Sequence, residues 1–129
     1  MYILLIDDDP AVARGVSRYL HSYGHEVRRG ASLADAIAAC AEESFDLLIA
    51  DVVLPDGTGW ELLERIRSRR FGMAAIVYSG CDRPQDVAAS LAAGFDAHYL
   101  KPEDLPRLPE IAHQLLRHAP PPDPLRCKW

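Results

Sequence analysis

The sequence predicts an α/β fold: five parallel strands in one sheet, with helices on both faces. Three observations lead there. Short, near-continuous apolar runs recur along the chain (YILLI, 2–6; DLLIA, 46–50; AAIVY, 74–78), as expected for strands covered on both sides. Stretches with apolar residues at helical spacing separate them. Gly24, Gly30, Gly72 and Gly94 punctuate the joints. Five such βα units in sequence imply a parallel sheet with right-handed crossovers.

Each element follows in turn. After the first strand, Asp9 stands directly before Pro10, which is a helix start with Asp as N-cap and Pro at the first helical position. Val12, Val16, Tyr19, Leu20 and Tyr23 then share a helical face. HEVRR (25–29) and DAHYL (96–100) are weaker strand candidates and belong nearer the sheet edges. Leu33, Ile37 and Cys40 mark the second helix, Leu62, Leu63 and Ile66 the third, Val87 and Leu91 the fourth. Arg65, Arg67, Arg69 and Arg70 form the solvated face and end of the third helix. A last helix presents Leu108, Ile111, Ala112 and Leu115. Proline deep inside a helix costs roughly 3 kcal/mol. Pro102, Pro106 and Pro109 therefore delay that helix to about Pro106 and leave the joint around Asp104 irregular. The stretch APPPDPLRCKW (119–129) has the composition of a linker or loose terminus, which leaves 1–118 as one domain.

Composition narrows the function. The chain has 129 residues, 49% hydrophobic and 26% charged, close to the globular average, with a formal net charge of −5. That charge disfavours direct binding to a nucleic-acid backbone. No run reaches the ~20 apolar residues that span a bilayer, and Asp7 interrupts the first run before it could serve as a secretory leader. Cys40, Cys81 and Cys127 are odd in number and widely spaced, which argues against a disulfide framework or zinc site and for a cytoplasmic setting. Nothing in the sequence beyond Lys101 would make Cys81 a reactive thiolate. Tyr2 and Tyr78 read as packing at the edge of the core.

Ligands of open α/β sheets gather at the carboxyl ends of the strands. Asp7, Asp8 and Asp9 follow the first run, Asp51 the third, Ser79 the fourth and Lys101 the fifth. Asp9 is absorbed as a cap. Asp7, Asp8 and Asp51 would raise one another's pKa unless a cation sat among them. An all-oxygen donor set suits Mg²⁺, or Mn²⁺ in its place. An ammonium and a hydroxyl opposite such a carboxylate make a place for a phosphoryl group, whose spreading negative charge the lysine and metal share.

The motifs LLIDDDP, DLLIADVVLPDGTG, IVYSG and AAGFDAHYLKP, in this order, resemble the receiver domain of two-component response regulators over essentially residues 1–118. The resemblance implies a flavodoxin-like sheet of order 2-1-3-4-5. It implies that Asp51 is the phosphoacceptor, and that Asp7, Asp8, Asp51 and the backbone carbonyl of Val53 bind the metal. Ser79 and Lys101 would contact the phosphoryl group. The implied partner is a sensor histidine kinase or histidine phosphotransfer protein, with the domain acting as a phosphoacceptor rather than an enzyme. The face of the fourth helix, fifth strand and fifth helix carries output or homodimer contacts in the family, and the prolines put that use in doubt.

Two positions depart from the pattern. Thr58 stands where the family loop usually carries Asp. His98 stands where the family places a Tyr or Phe that, with the residue matched by Ser79, responds to phosphorylation; an imidazole is smaller and can titrate near neutrality. Two other readings compete. A haloacid-dehalogenase-like phosphatase also has Asp-x-Asp after its first strand, matched by Asp7 and Asp9, but it would leave Asp51 idle. A pseudo-receiver that only binds would not need all five signature positions.

Overall fold

The computed structural model of the protein describes residues 1–67, 73–80, 83–110 and 114. Strands β1 (Tyr2–Ile6), β2 (Glu26–Gly30), β3 (Leu47–Ala50), β6 (Ala74–Ser79) and β7 (Ala97–Leu100) form one sheet in the order β2-β1-β3-β6-β7. Every pairing in it is parallel. Helices α1 (Pro10–Ser22), α2 (Leu33–Glu42), α3 (Gly59–Arg67) and α4 (Pro84–Ala93) make the crossovers. This is the predicted doubly wound arrangement, with the two weak strand candidates at the edges. Both begin one residue later than the sequence runs, at Glu26 and Ala97.

Alternation along the strands builds two cores. Ile3 and Leu5 point to one face, with Ala13, Val16 and Leu20 of α1 and with Leu108. Leu4 and Ile6 point to the other, with Ala36, Ala39 and Cys40 of α2 and Leu62 and Ile66 of α3. Each Leu, Ile or Val among them stabilises the fold by about 1.5–3 kcal/mol when fully buried. Continuous apolar strands are the consequence of needing both faces.

Asp9 caps α1 as expected: its Oδ1 accepts from the backbone N–H of Ala11 at 3.0 Å and of Val12 at 3.3 Å. Residues 101–106 form turns and 107–110 open a helix, so the prolines delay the last helix as their chemistry dictates. The Lys101–Pro102 peptide bond is cis. Gly72, the expected helix positions Ile111, Ala112 and Leu115, Arg69 and Arg70, the Arg67 side chain, Cys81 and the tail 119–129 lie outside the described residues.

Two helical faces differ from the sequence reading. Tyr23 is 56% exposed, because it sits at the C-cap of α1, where its ring meets the edge of Tyr19. Leu91 of α4 is 52% exposed, and the buried positions on α4 are Asp86 and Ser90. The two buried positions of α4 are thus polar: Asp86 pairs with Arg83 at the helix start, and Ser90 meets Trp60 of α3 and His98 of β7.

A short antiparallel hairpin, β4 (Val53–Leu54) with β5 (Gly57–Thr58), follows β3 and was not legible in the sequence.

Candidate functional site

The carboxyl ends of β1, β3, β6 and β7 converge, and the parallel register sets them at one height. Ile6 lies opposite Ala50, so Asp7 and Asp51 leave adjacent strands side by side. Ser79 ends β6 opposite Leu100, and the backbone N–H of Lys101 donates to the Ser79 carbonyl at 2.9 Å, extending the ladder by one rung. Four of the residues predicted from strand ends are therefore brought together by one sheet edge.

Asp7, Asp8 and Asp51 each offer a carboxylate oxygen within 4.8 Å of the others'. They differ in exposure. Asp7 is buried, Asp51 intermediate and Asp8 exposed. The Lys101 ammonium bridges the inner two, donating to Asp51 Oδ2 at 2.6 Å and to Asp7 Oδ2. Asp7 Oδ1 accepts from the backbone N–H of Asp9 at 2.9 Å, which helps fix the turn into α1. Burial alone would lower the Lys101 ammonium. Its hydrogen bonds to Asp51 and Asp7 outweigh that and hold it above the ordinary lysine value. The Tyr78 ring lies 5.8 Å from the ammonium, so the lysine also has an aromatic face against it.

The donor set suits a hard divalent cation. All three groups supply oxygen, and three carboxylates with one ammonium leave two negative charges, which the two positive charges of such an ion would balance. Val53, read as a carbonyl ligand, is 63% exposed beside the site, and its backbone N–H points to Asp51 Oδ1 at 3.4 Å. Ser79 is buried at the strand end. Asp9, which a phosphatase reading would need at the centre, is occupied as the α1 cap.

The loop after Asp51 is held at both ends. Gly59 opens α3 against the Asp51 backbone, and a β-carbon there would lie 2.4 Å from the Asp51 carbonyl oxygen. The Gly59 N–H donates to the Val52 carbonyl at 2.8 Å. Thr58, the residue that departs from the family loop, accepts at its side chain from the Glu61 N–H at 3.0 Å and so begins α3. Asp56 accepts from the backbone N–H of Leu33 at 2.7 Å and of Ala34 at 3.0 Å, tying the loop to the start of α2. Those bonds, Leu33's first, hold the Asp56 carboxyl below its usual range.

His98 lies on β7 opposite Val77. Its Nδ1 is 2.8 Å from the Ser90 hydroxyl on α4. The Trp60 indole N–H of α3 donates to that same hydroxyl at 2.8 Å. Sequence reading missed Ser90, Trp60 and Asp56. The one available signal was the lack of a clean apolar face on α4, where Asp86 and Ser90 stand four residues apart.

Comparison with known proteins agrees with this geometry. The profile of the response regulator receiver domain matches residues 3–113. The chain is similar to transcriptional regulatory protein TrcR of Mycobacterium tuberculosis, with 32% identity over 117 residues, 91% of this chain and 46% of that protein. It is similar to response regulator MprA of Mycobacterium avium, with 32% identity over 123 residues, 95% of this chain and 54% of that protein. The chain thus spans about half the length of these curated relatives. A solved receiver domain protein (CheY-like) from Methanospirillum hungatei superposes with a TM-score of 0.85 and 34% identity, covering 92% of this chain and 94% of that one. Motif, sheet order and site geometry converge with these matches: the chain belongs to the response regulator receiver domain family of two-component signalling.

Proposed function

We propose that this receiver domain accepts a phosphoryl group on Asp51, with Mg²⁺ or Mn²⁺ held by Asp7, Asp8 and Asp51 and by the Val53 carbonyl. The single observation that carries the reading is the Lys101 ammonium shared between Asp51 and Asp7 at the junction of three strand ends. The donor is a phosphohistidine on a sensor kinase or phosphotransfer protein.

An Asp51 carboxylate oxygen attacks phosphorus, the nitrogen–phosphorus bond breaks, and its electron pair returns to the departing imidazole, which takes a proton. The carboxylate, part-buried at the strand end, is presented with little freedom, so orientation supplies much of the rate. Lys101 supports the charge that spreads over the phosphoryl oxygens, and Ser79 offers a hydroxyl to one of them. A divalent cation, when bound, adds neutralisation of the same oxygens. Phosphorylation then alters which partner the domain binds, with Ser79 and His98 as the side chains that register it. No described helix is long and apolar enough to cross a membrane.

Incubation with acetyl phosphate and Mg²⁺, followed by intact mass, tests this. One phosphate is expected on the wild type and none on Asp51→Asn. Equal modification of both would overturn the assignment.

A further inference from the structure

We infer that Ser90 is a positioning residue for the acceptor centre, acting on Lys101 through His98; this rests on the phosphoacceptor reading of Asp51. Ser90 is fully buried on α4, and three groups from three elements meet its hydroxyl. The Trp60 indole N–H comes from α3 at 2.8 Å, His98 Nδ1 from β7 at 2.8 Å, and the Asp86 carbonyl from the preceding turn of α4 at 3.0 Å.

The proton count at this oxygen is restrictive. An indole only donates, and a carbonyl only accepts. Ser90 therefore takes a hydrogen from Trp60 and gives its own to Asp86. Its remaining lone pair is satisfied when His98 donates from Nδ1, which assigns the proton on that ring nitrogen. With the other tautomer, Ser90 would have to abandon the Asp86 carbonyl. The side chain thus ties β7 to α3 in one defined arrangement.

That tie bears on Lys101 because β7 is an edge strand. It pairs with β6 on one side only, and all four of its residues are partly exposed. Lys101 directly follows it and is held to the sheet by the bond to Ser79. At the other end, Trp60 follows Gly59, which abuts the backbone of Asp51. The hydroxyl of Ser90 therefore closes a circuit from the acceptor through α3 to the strand that delivers its lysine. Loss of the hydroxyl frees the edge strand and loosens the ammonium.

The test compares the full chain with Ser90→Ala, His98→Phe and, as a control, Ala88→Gly on the exposed face of the same helix. Two readouts are taken: amide hydrogen exchange at Lys101 without phosphodonor, and the rate of phosphate uptake from acetyl phosphate with Mg²⁺. Ser90→Ala should speed Lys101 exchange about tenfold relative to β1 and β3 amides, and slow phosphate uptake about fivefold or more. His98→Phe should do the same, while Ala88→Gly changes neither ratio. Unchanged Lys101 exchange in a folded Ser90→Ala protein overturns the inference. Should that variant not fold, His98→Phe decides by the same criterion. A wild type that takes no phosphate refutes the phosphoacceptor reading, and the exchange arm still decides the role of Ser90.

Discussion

Gly59 lies so close to Asp51 that a β-carbon on it would stand 2.4 Å from the Asp51 carbonyl oxygen. The obstacle is backbone, so a side chain could be admitted only by moving Asp51. Gly59→Ala should cost about 1–3 kcal/mol, as overpacking does. It should also lower the phosphorylation rate beyond what lost stability explains. Urea unfolding together with phosphate uptake by the folded fraction checks this, and full activity in a stable mutant would contradict it.

Asp7 and Asp51 each have Lys101 as a partner, whereas Asp8 is exposed and contributes charge to the cluster without that bond. Asp8→Asn should therefore raise the melting temperature in EDTA, by relief of repulsion. Asp7→Asn should lower it, since it weakens a buried ion pair. Added Mg²⁺ should raise the wild-type midpoint more than that of either mutant. A lower midpoint for Asp8→Asn in EDTA would count against a repulsive cluster.

Asp56 has a folded pKa below its unfolded value because the Leu33 and Ala34 amides favour its charged form. Its contribution to stability is fully present above the unfolded pKa, about 3.9, and is lost as pH falls through the folded pKa. Asp56→Ala should reduce the urea midpoint at neutral pH, and the gap to wild type should narrow below about pH 4. A gap that stays constant down to acid pH would show that the carboxylate charge is not responsible.

Val53 stands exposed two residues after Asp51, the proposed acceptor, with neither carboxylate nor amide on its side chain to orient water for in-line attack on an aspartyl phosphate. The phosphorylated form should therefore decay slowly. Val53→Asn should speed the loss about tenfold, equivalent to about 1.4 kcal/mol on the barrier. Decay of phosphoprotein after donor removal measures it; equal or slower loss in the mutant sinks the idea.

The sheet was legible because parallel strands buried on both faces must be continuously apolar, and YILLI, DLLIA and AAIVY could be little else. The cap at Asp9 and the late start of the last helix were legible for a similar reason: proline leaves few choices. The candidate site residues Asp7, Asp8, Asp51, Ser79 and Lys101 could be grouped because strand ends share one edge. What periodicity could not supply was the inward face of α4. Leu91 looks like core, yet Ser90 holds that position, since its hydroxyl is satisfied by Trp60 of α3, 30 residues earlier, and by His98 on the following strand. The Asp56 cap is hidden likewise: the helix it serves lies 22 and 23 residues earlier.

One ammonium serving two carboxylates makes those carboxylates interdependent. A group on Asp51 that draws Lys101 toward itself withdraws it from Asp7, whose side chain is only 3% exposed. A buried charge left so is costly until another cation meets it. If Asp51 accepts a phosphoryl group as proposed, its occupancy and cation retention at Asp7 would be reciprocal: whatever factor the first adds to the affinity of the second, the second returns to the first. Lys101 is a counter-ion shared between two neighbours, and on the proposed function its division between them would make the loading of Asp51 a cooperative event.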